Sequence, residues 1–509
     1  MKYILCIDAG TSVVKAMLFD LDGNIRKISS RTGDVENPKP NYYELDLDAF
    51  YQHLCAAIAE VIEGYKASDI IAVGVSAYMA GTIFLDKNKK EIGKSVLWID
   101  GRTAPYFKQW DEDGRAAKLF ELSGTSMLAG HTLALLYWWK HNDPAMLERA
   151  HHCLFTKDWI RYKLTGELCT DSSEASCIPA DTFNRSYSPE IMELFGLSGC
   201  MGMFPPIMAP EAVAGHVTHK AADDTGLAAG TPVVCGLGDM LAGILGSGAI
   251  EAGQGSTIIG STLLNGIIQD TPNSTPNGIG MTLATVDNKW ARLVNNTGGG
   301  TINFQWAFDL FTVMEQQSMK GDFYSWVDEE IDKVPPCAHG VMYHPYINST
   351  GVTAPFHNVN ARAQFVGIGM HHTRFDILRA VFEGIGLSIR DCYNAVPDRV
   401  TELRVTGGGS RDDTLCQIVS DCMGVSLILP KEAQSTALGT AILAAVGTGE
   451  YDSIEEAVAQ MVHIKKEYHP NPQKQEIYRK WYELYKEIRT VMMPVWNQRR
   501  TVLTDIGES

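Results

Sequence analysis

The sequence predicts an α/β protein built from two similar halves that face each other across a cleft. Strand-like and helix-like patterns alternate along the chain. The pattern restarts after Gly248. Each half opens on a strand that ends in a turn of small and hydroxylated residues, Asp8-Ala9-Gly10-Thr11-Ser12 in the first and Gly260-Ser261-Thr262 in the second. The division falls near 248–253, giving domains of 1–250 and 251–509.

The apolar run Tyr3 to Ile7 reads as a buried strand, Val13 to Phe19 as a second, and Asp22-Gly23 as a hairpin turn. Phe50, Leu54, Ala57, Ile58, Val61 and Ile62 recur at helical spacing between Phe50 and Tyr65, with Gly64 as the stop. Ile70 to Ser76 and Ile83 to Asp86 read as strands. Thr156 is expected to cap a helix through Leu164 that stops at Gly166. Pro205-Pro206 and Thr231-Pro232 punctuate loops, and Val233-Val234-Cys235 is a short buried strand. In the second half, Ser256 to Leu264 is strand-rich. Gly280–Thr285 and Trp290–Asn296 resemble a hairpin around Asp287-Asn288. Val405-Thr406 enters a triple-glycine turn, and Ser410 is expected to cap a helix with Leu415, Ile418, Val419 and Cys422 on its apolar face and Gly424 as its stop. Gln473 to Asn497 reads as a long packing helix.

Composition narrows the function. The 509 residues are 45% apolar, enough for sizeable cores. A net charge of -17 disfavours a nucleic-acid backbone or a polybasic membrane contact, but not a small anion held by local amides. The 11 cysteines include no C-x-x-C pair, so free thiols are expected rather than a disulfide framework or zinc site. The start lacks a cleavable signal pattern, and no segment approaches the roughly 20 apolar residues of a membrane span. A soluble cytoplasmic protein acting on a small molecule is the expectation.

Four constellations can carry chemistry. In the first turn, Gly10 lets a ligand approach the backbone, Thr11 and Ser12 add hydroxyl donors, and Asp8 offers a carboxylate for a metal. Those are the parts that a nucleoside triphosphate's phosphates need, although a plain hairpin turn has the same composition. Gly236-Leu-Gly238-Asp239 ends a strand and starts a helix. Asp239 could be the helix N-cap, a general base that takes the proton from a sugar hydroxyl during phosphoryl transfer, or both. The turn Gly260, Ser261, Thr262 could clamp the phosphates from the other side, although a plain strand turn is the more common meaning of such residues. Gly407, Gly408 and Gly409 expose bare backbone against which an adenine can lie. Their spacing is not G-x-G-x-x-G, which speaks against a dinucleotide site and a dehydrogenase.

The chain resembles the FGGY family of carbohydrate kinases, in the actin-like ATPase superfamily. The resemblance runs over nearly the whole length, through Asp8-Ala-Gly-Thr11, Trp98-Ile-Asp100-Gly-Arg102, Thr156-Lys-Asp158 to Gly166, and Gly226 to Asp239. It continues through Phe365-Val-Gly367, Arg379 to Gly384, Gly407-Gly-Gly-Ser410 and Ala437 to Ala441. It implies two ribonuclease-H-like domains around a central cleft, sugar mainly on the first and ATP mainly on the second. It implies Asp239 as the base and Asp8 near Mg²⁺. Thr11, Ser12, Gly260, Ser261 and Thr262 would line the phosphates, with Gly408, Gly409 and Ser410 by the nucleoside. Kinases of this fold often dimerise, but the sequence shows no apolar patch that establishes a homodimer.

The substrate loop is Ser76-Ala77-Tyr78-Met79-Ala80-Gly81. D-xylulose kinases look like Ser-Gly-Gln-Met-His-Gly there, so Tyr78 and Ala80 stand where those kinases carry Gln and His. Met240 follows the base where the family usually has Asn or Gln. Fewer polar partners for hydroxyls make D-xylulose doubtful and favour another ketopentose or a four- or five-carbon polyol. Trp98 could pack on the carbon face of the substrate, with Asp100 taking two hydroxyls and Arg102 orienting Asp100. A core aromatic and a structural ion pair are the plainer meanings of those residues. The loop Asn295-Asn296-Thr297 is a candidate to reach the cleft from the second half. Two competitors remain: a non-catalytic sugar-sensing protein on the same fold, and an actin-like ATPase with a protein partner.

Overall fold

The computed structural model describes residues 1–177, 180–272, 278–319, 321, 323–349 and 351–507. In the first half, strands β1 (Tyr3–Ala9), β2 (Val13–Asp20) and β3 (Ile25–Thr32) form an antiparallel meander. Helix α1 (Leu47–Ile62) follows. It starts three residues earlier than its apolar spacing implies, because the Asp46 carboxylate accepts a hydrogen bond from the Ala49 N–H and sets the cap there. Strand β4 (Ile70–Ala77) then pairs parallel with β1. Helix α2 (Thr156–Thr165) and the short helix α3 (Ser172–Ala175) precede β5 (Val213–His216) and β6 (Pro232–Val234). The sheet order is β5-β6-β4-β1-β2-β3. Helix α4 (Asp239–Gly246) closes the half.

The second half repeats the plan. Strands β7 (Gln254–Ile259) and β8 (Leu263–Gln269) are antiparallel, followed by the hairpin β9 (Met281–Ala284) and β10 (Trp290–Leu293). Asp287 and Asn288 both take positive φ, 52° and 56°, as the tight turn between β9 and β10 requires. Helix α5 (Arg374–Tyr393), β11 (Glu402–Thr406), α6 (Asp413–Met423), β12 (Ser426–Pro430), α7 (Ser435–Gly447), β13 (Ile464–Tyr468) and α8 (Pro472–Asp505) complete it. The order β9-β10-β8-β7-β11-β12-β13 matches the first sheet strand for strand, with one additional edge strand. Strand β7 pairs antiparallel with β8 and parallel with β11, as β1 does with β2 and β4. The duplicated α/β architecture read from the sequence is therefore present.

Helix α4 of the first half and α7 of the second each lie against the sheet of the other half. A methyl group added at Gly74 of β4 would strike Thr440 of α7, and one at Gly266 of β8 would strike Ile244 of α4. The two helices cross in close contact. A Cβ at Gly439 would stand 2.0 Å from the Ala242 carbonyl oxygen, and one at Gly246 would stand 1.8 Å from that of Ser435. One apolar cluster, from Ile4 and Phe19 through Leu241 and Ala441 to Leu293, runs continuously between the halves. Separate clusters back each sheet on its outer face.

Two expected caps are displaced. Phe155, not Thr156, precedes α2, and Thr156 is its first residue. Asp412, not Ser410, caps α6 by accepting from the Leu415 N–H at 2.7 Å. Ser410 sits in a short 3-10 turn and donates its hydroxyl to the Gly407 carbonyl.

Candidate active site

Strand β6 delivers the chain to the cleft through Cys235-Gly236-Leu237-Gly238. Gly236 has φ +82°, and a Cβ there would lie 2.0 Å from the Val75 carbonyl oxygen. Asp239 is the first residue of α4, after Gly238 at the cap position. The N-cap alternative is thus excluded. Its Oδ1 accepts from the adjacent Met240 N–H at 2.7 Å, and among the described residues Oδ2 receives no hydrogen bond. Burial, followed by the nearby Asp8 carboxylate, pushes the Asp239 carboxyl up to about 7, with the Met240 N–H opposing. A carboxyl poised there can exchange a proton at neutral pH.

Asp8 lies near the end of β1. Burial raises its carboxyl, and Lys15, directly across on β2, opposes that rise. The β1–β2 turn is closed by the Gly10 N–H donating to the Val13 carbonyl at 2.9 Å. Ser12 is exposed. The Thr11 hydroxyl accepts from the Trp98 indole N–H at 2.8 Å, which leaves its own proton to donate. Lys15 reaches across to the second half, donating to Gln434 Oε1 at 3.1 Å just before α7.

The corresponding turn in the second half is built alike: the Gly260 N–H donates to the Thr262 carbonyl at 3.0 Å. Ser261 is exposed and Thr262 half-buried. The triple-glycine turn adjoins it. A Cβ at Gly407 would lie 2.7 Å from the Ile259 carbonyl oxygen, and one at Gly409 would overlap the Ile259 side chain. Gly408 is exposed, with open space where a Cβ would stand. Gly300 packs on Ser261 and Gly260, so three glycine-bearing segments share one surface. Ser410 turns its hydroxyl back onto the Gly407 carbonyl at 2.8 Å.

The expected substrate wall divides. Trp98 is 43% exposed, tethered to Thr11. The Met79 side chain packs against Gly238. Ala80 holds φ +65° and donates its N–H to Glu174 Oε2 at 3.4 Å. Met240 is half-buried, and from the other half Asn295 brings its Nδ2 to 3.8 Å from the Met240 Sδ. The other three are built into the protein interior. Tyr78 is 3% exposed and belongs to the apolar cluster that backs the first sheet. The Asp100 carboxylate is already saturated: Oδ1 accepts from Arg102 N and Nε, and Oδ2 from Tyr43 N and an Arg102 guanidinium N–H, all within 3.0 Å. A carboxylate offers about four acceptor positions, so none is left for sugar hydroxyls. Arg102 is stacked over Tyr42 and Trp138 and also bonds Glu44. The pair is the structural alternative.

A buried charged cluster beneath the base went unread in the sequence. Lys157 pairs with Asp158 at 2.8 Å and Asp171 at 3.0 Å, and Arg161 pairs with Asp158 at 3.0 Å. Against the cost of burial, Asp158 and Asp171 hold Lys157 charged. Arg161 and Lys157 both donate to the Cys235 carbonyl, four residues before Asp239. On α3, the Ser173 hydroxyl oxygen accepts from the Gly238 N–H at 3.0 Å, while the neighbouring Glu174 receives Ala80. The available signal was Lys157-Asp158 and Arg161 on one helix that is otherwise apolar on its buried face.

Among the described residues, no three His, Cys, Asp or Glu side chains gather into a metal cage. No helix of the described residues is long and apolar enough to cross a membrane.

The model for the N-terminal domain of the FGGY family of carbohydrate kinases matches residues 3–246, and that for its C-terminal domain matches 255–448. An erythritol kinase of Brucella abortus (strain 2308) is 30% identical over 514 residues, covering 97% of each chain. A probable L-xylulose kinase of Pasteurella multocida (strain Pm70) is 28% identical over 504 residues, covering 97% of this chain and 99% of that one. The crystal structure of ligand-bound xylulose kinase from Lactobacillus acidophilus superposes with a TM-score of 0.90 at 22% identity, over 98% of this chain and 100% of that one.

Proposed function

Because the chain belongs to the FGGY family of carbohydrate kinases, we propose that it uses Mg-ATP to phosphorylate a hydroxyl of a small ketopentose or of a four- or five-carbon polyol, with Asp239 as general base. That it is an ATP-dependent carbohydrate kinase with a two-domain actin-like ATPase fold follows from the family and the fold. The finer assignment is carried by one observation. Asp239 is held at a glycine-flanked helix start with Oδ1 fixed, Oδ2 free and a carboxyl near 7.

The acceptor hydroxyl donates to Oδ2. As its oxygen attacks the γ-phosphorus, the proton passes to the carboxylate, and the leaving ADP takes the bond's electron pair. Thr11, Ser12, Ser261 and Thr262 and their turn amides donate to phosphate oxygens, one turn from each half. Gly407, Gly408 and Gly409 lie against the nucleoside. Asp8, a half-buried carboxylate close enough to Asp239 to raise it, fits a hard cation, and Mg²⁺ bound there would offset phosphate charge. Residues 1–250 thus supply the acceptor site and base, and 251–509 most of the nucleotide site.

Met240 and Ala80 leave the acceptor pocket poorer in hydrogen-bond partners than a D-xylulose site. The likeness to an erythritol kinase and a probable L-xylulose kinase supports the same substrate class. A coupled ADP-release assay over erythritol, xylitol, L-xylulose and D-xylulose tests this. Turnover with a polyol or with L-xylulose above that with D-xylulose is expected, and strong preference for D-xylulose would contradict it. No release with any acceptor would favour a sugar sensor, and release without acceptor dependence an ATPase with a protein partner.

A further inference from the structure

Asn295 follows β10 in the second half, yet its amide faces the residue next to the base. Its orientation is fixed. Oδ1 accepts from the Asn265 N–H at 2.9 Å, and exchanging the amide's O and N would set donor against donor. The Asn295 main-chain carbonyl accepts from the Thr353 hydroxyl at 2.8 Å, so the backbone is tied as well. Asn265 in turn is buried, donating to the Val294 carbonyl at 3.0 Å and accepting from Thr257 at 3.0 Å. The NH₂ group is therefore aimed by a rigid frame at Met240, whose thioether 3.8 Å away is a weak acceptor. A half-buried amide with two N–H donors, met among the described residues only by sulfur, is suited to an oxygen ligand.

We infer that Asn295 is an acceptor-binding residue supplied by the second half: its NH₂ donates to a substrate hydroxyl oxygen neighbouring the one that Asp239 deprotonates. This rests on the kinase function proposed above. The contact with Met240, beside the base, places the amide on the acceptor side. The phosphate turn is approached instead by Gly300, at the far end of the same loop. The residue would thereby make acceptor recognition depend on both halves, in a pocket where Met240 and Ala80 offer little.

Asn295→Asp is nearly isosteric, keeps an oxygen for the Asn265 N–H and removes both donors, and Asn295→Ala removes the whole amide. Calorimetric titration of erythritol, xylitol, L-xylulose and D-xylulose in the presence of a non-hydrolysable ATP analogue measures acceptor affinity without turnover. Both variants are expected to bind the preferred acceptor about 10- to 100-fold more weakly than the parent, with analogue affinity retained. Unchanged acceptor affinity overturns the inference, as does a loss confined to the ATP analogue, which would assign Asn295 to the phosphates. A parent protein that binds none of the four overturns both the inference and the function beneath it. Acceptor-dependent ADP release by the parent and the Asn295 variants, measured in parallel, separates the two: release by the parent with unchanged acceptor affinity in the variants overturns the inference and leaves the function standing.

Discussion

At the scale of single residues the decisive conflict is at Asp239. The start of a helix favours a negative charge, but burial and the facing Asp8 carboxylate outweigh it and raise the carboxyl to about 7. A base must be unprotonated to accept. The acidic limb of the kcat/KM profile is therefore expected at half-height near pH 7, with activity lost below it. The folded-state value lies above the ordinary 3.8, so the folded protein binds more protons between those values than the unfolded chain. Its stability contribution accordingly falls as pH rises through that window, and the site gives up stability in the range where it works. A pH–rate profile checks this, and a limb near pH 4 would show that Asp239 is an ordinary carboxylate. Trp98 and Thr11 illustrate the complementary case, an exposed aromatic whose indole N–H holds a hydroxyl of the β1–β2 turn in place.

At the scale of elements, α2 and α3 act as the floor of the site. Lys157 neutralises Asp158 and Asp171, and with Arg161 it holds the Cys235 carbonyl. Lys157→Met would leave two buried carboxylates opposed only by Arg161. A loss of about 3–5 kcal/mol is expected, read as a lower urea midpoint. An unchanged midpoint would mean that the cluster is solvated. Strands, hairpins and glycine turns were legible in the sequence, because period and turn chemistry are local signals. The caps were less so. Thr156 and Ser410 have suitable side chains, but the neighbouring Phe155 and Asp412 hold the extended backbone that a cap needs. The pairing of Asp100 with Arg102 was legible as an alternative, yet its saturation was not, since one donor is Tyr43 N, 57 residues away. Tyr78 failed for a similar reason. Whether a loop side chain enters the core or the cleft is set by packing against distant segments. Asn295 gave only the weak sign of a polar, glycine-rich loop.

At the scale of the whole molecule, two copies of one sheet plan are joined by exchanged helices. Because α4 starts at Asp239 and packs on the second half, the base is mechanically connected to both sheets. Its partner α7 starts just after Gln434, which receives Lys15 from β2 of the first half. A second bridge, in which Thr125 pairs with Met281 and the Ser126 hydroxyl donates to the Gly278 carbonyl at 2.6 Å, ties the halves away from the crossing. Nucleotide and acceptor would thus be held by opposite sides of one jointed body, and closing the halves would exclude the water that competes as phosphoryl acceptor. The most direct test of this account is acceptor-dependent ADP release by Asp239→Asn beside the parent. Turnover is expected to fall about 100- to 10,000-fold, in a protein that still binds ADP and melts no earlier than the parent. Turnover close to the parent's would contradict the account.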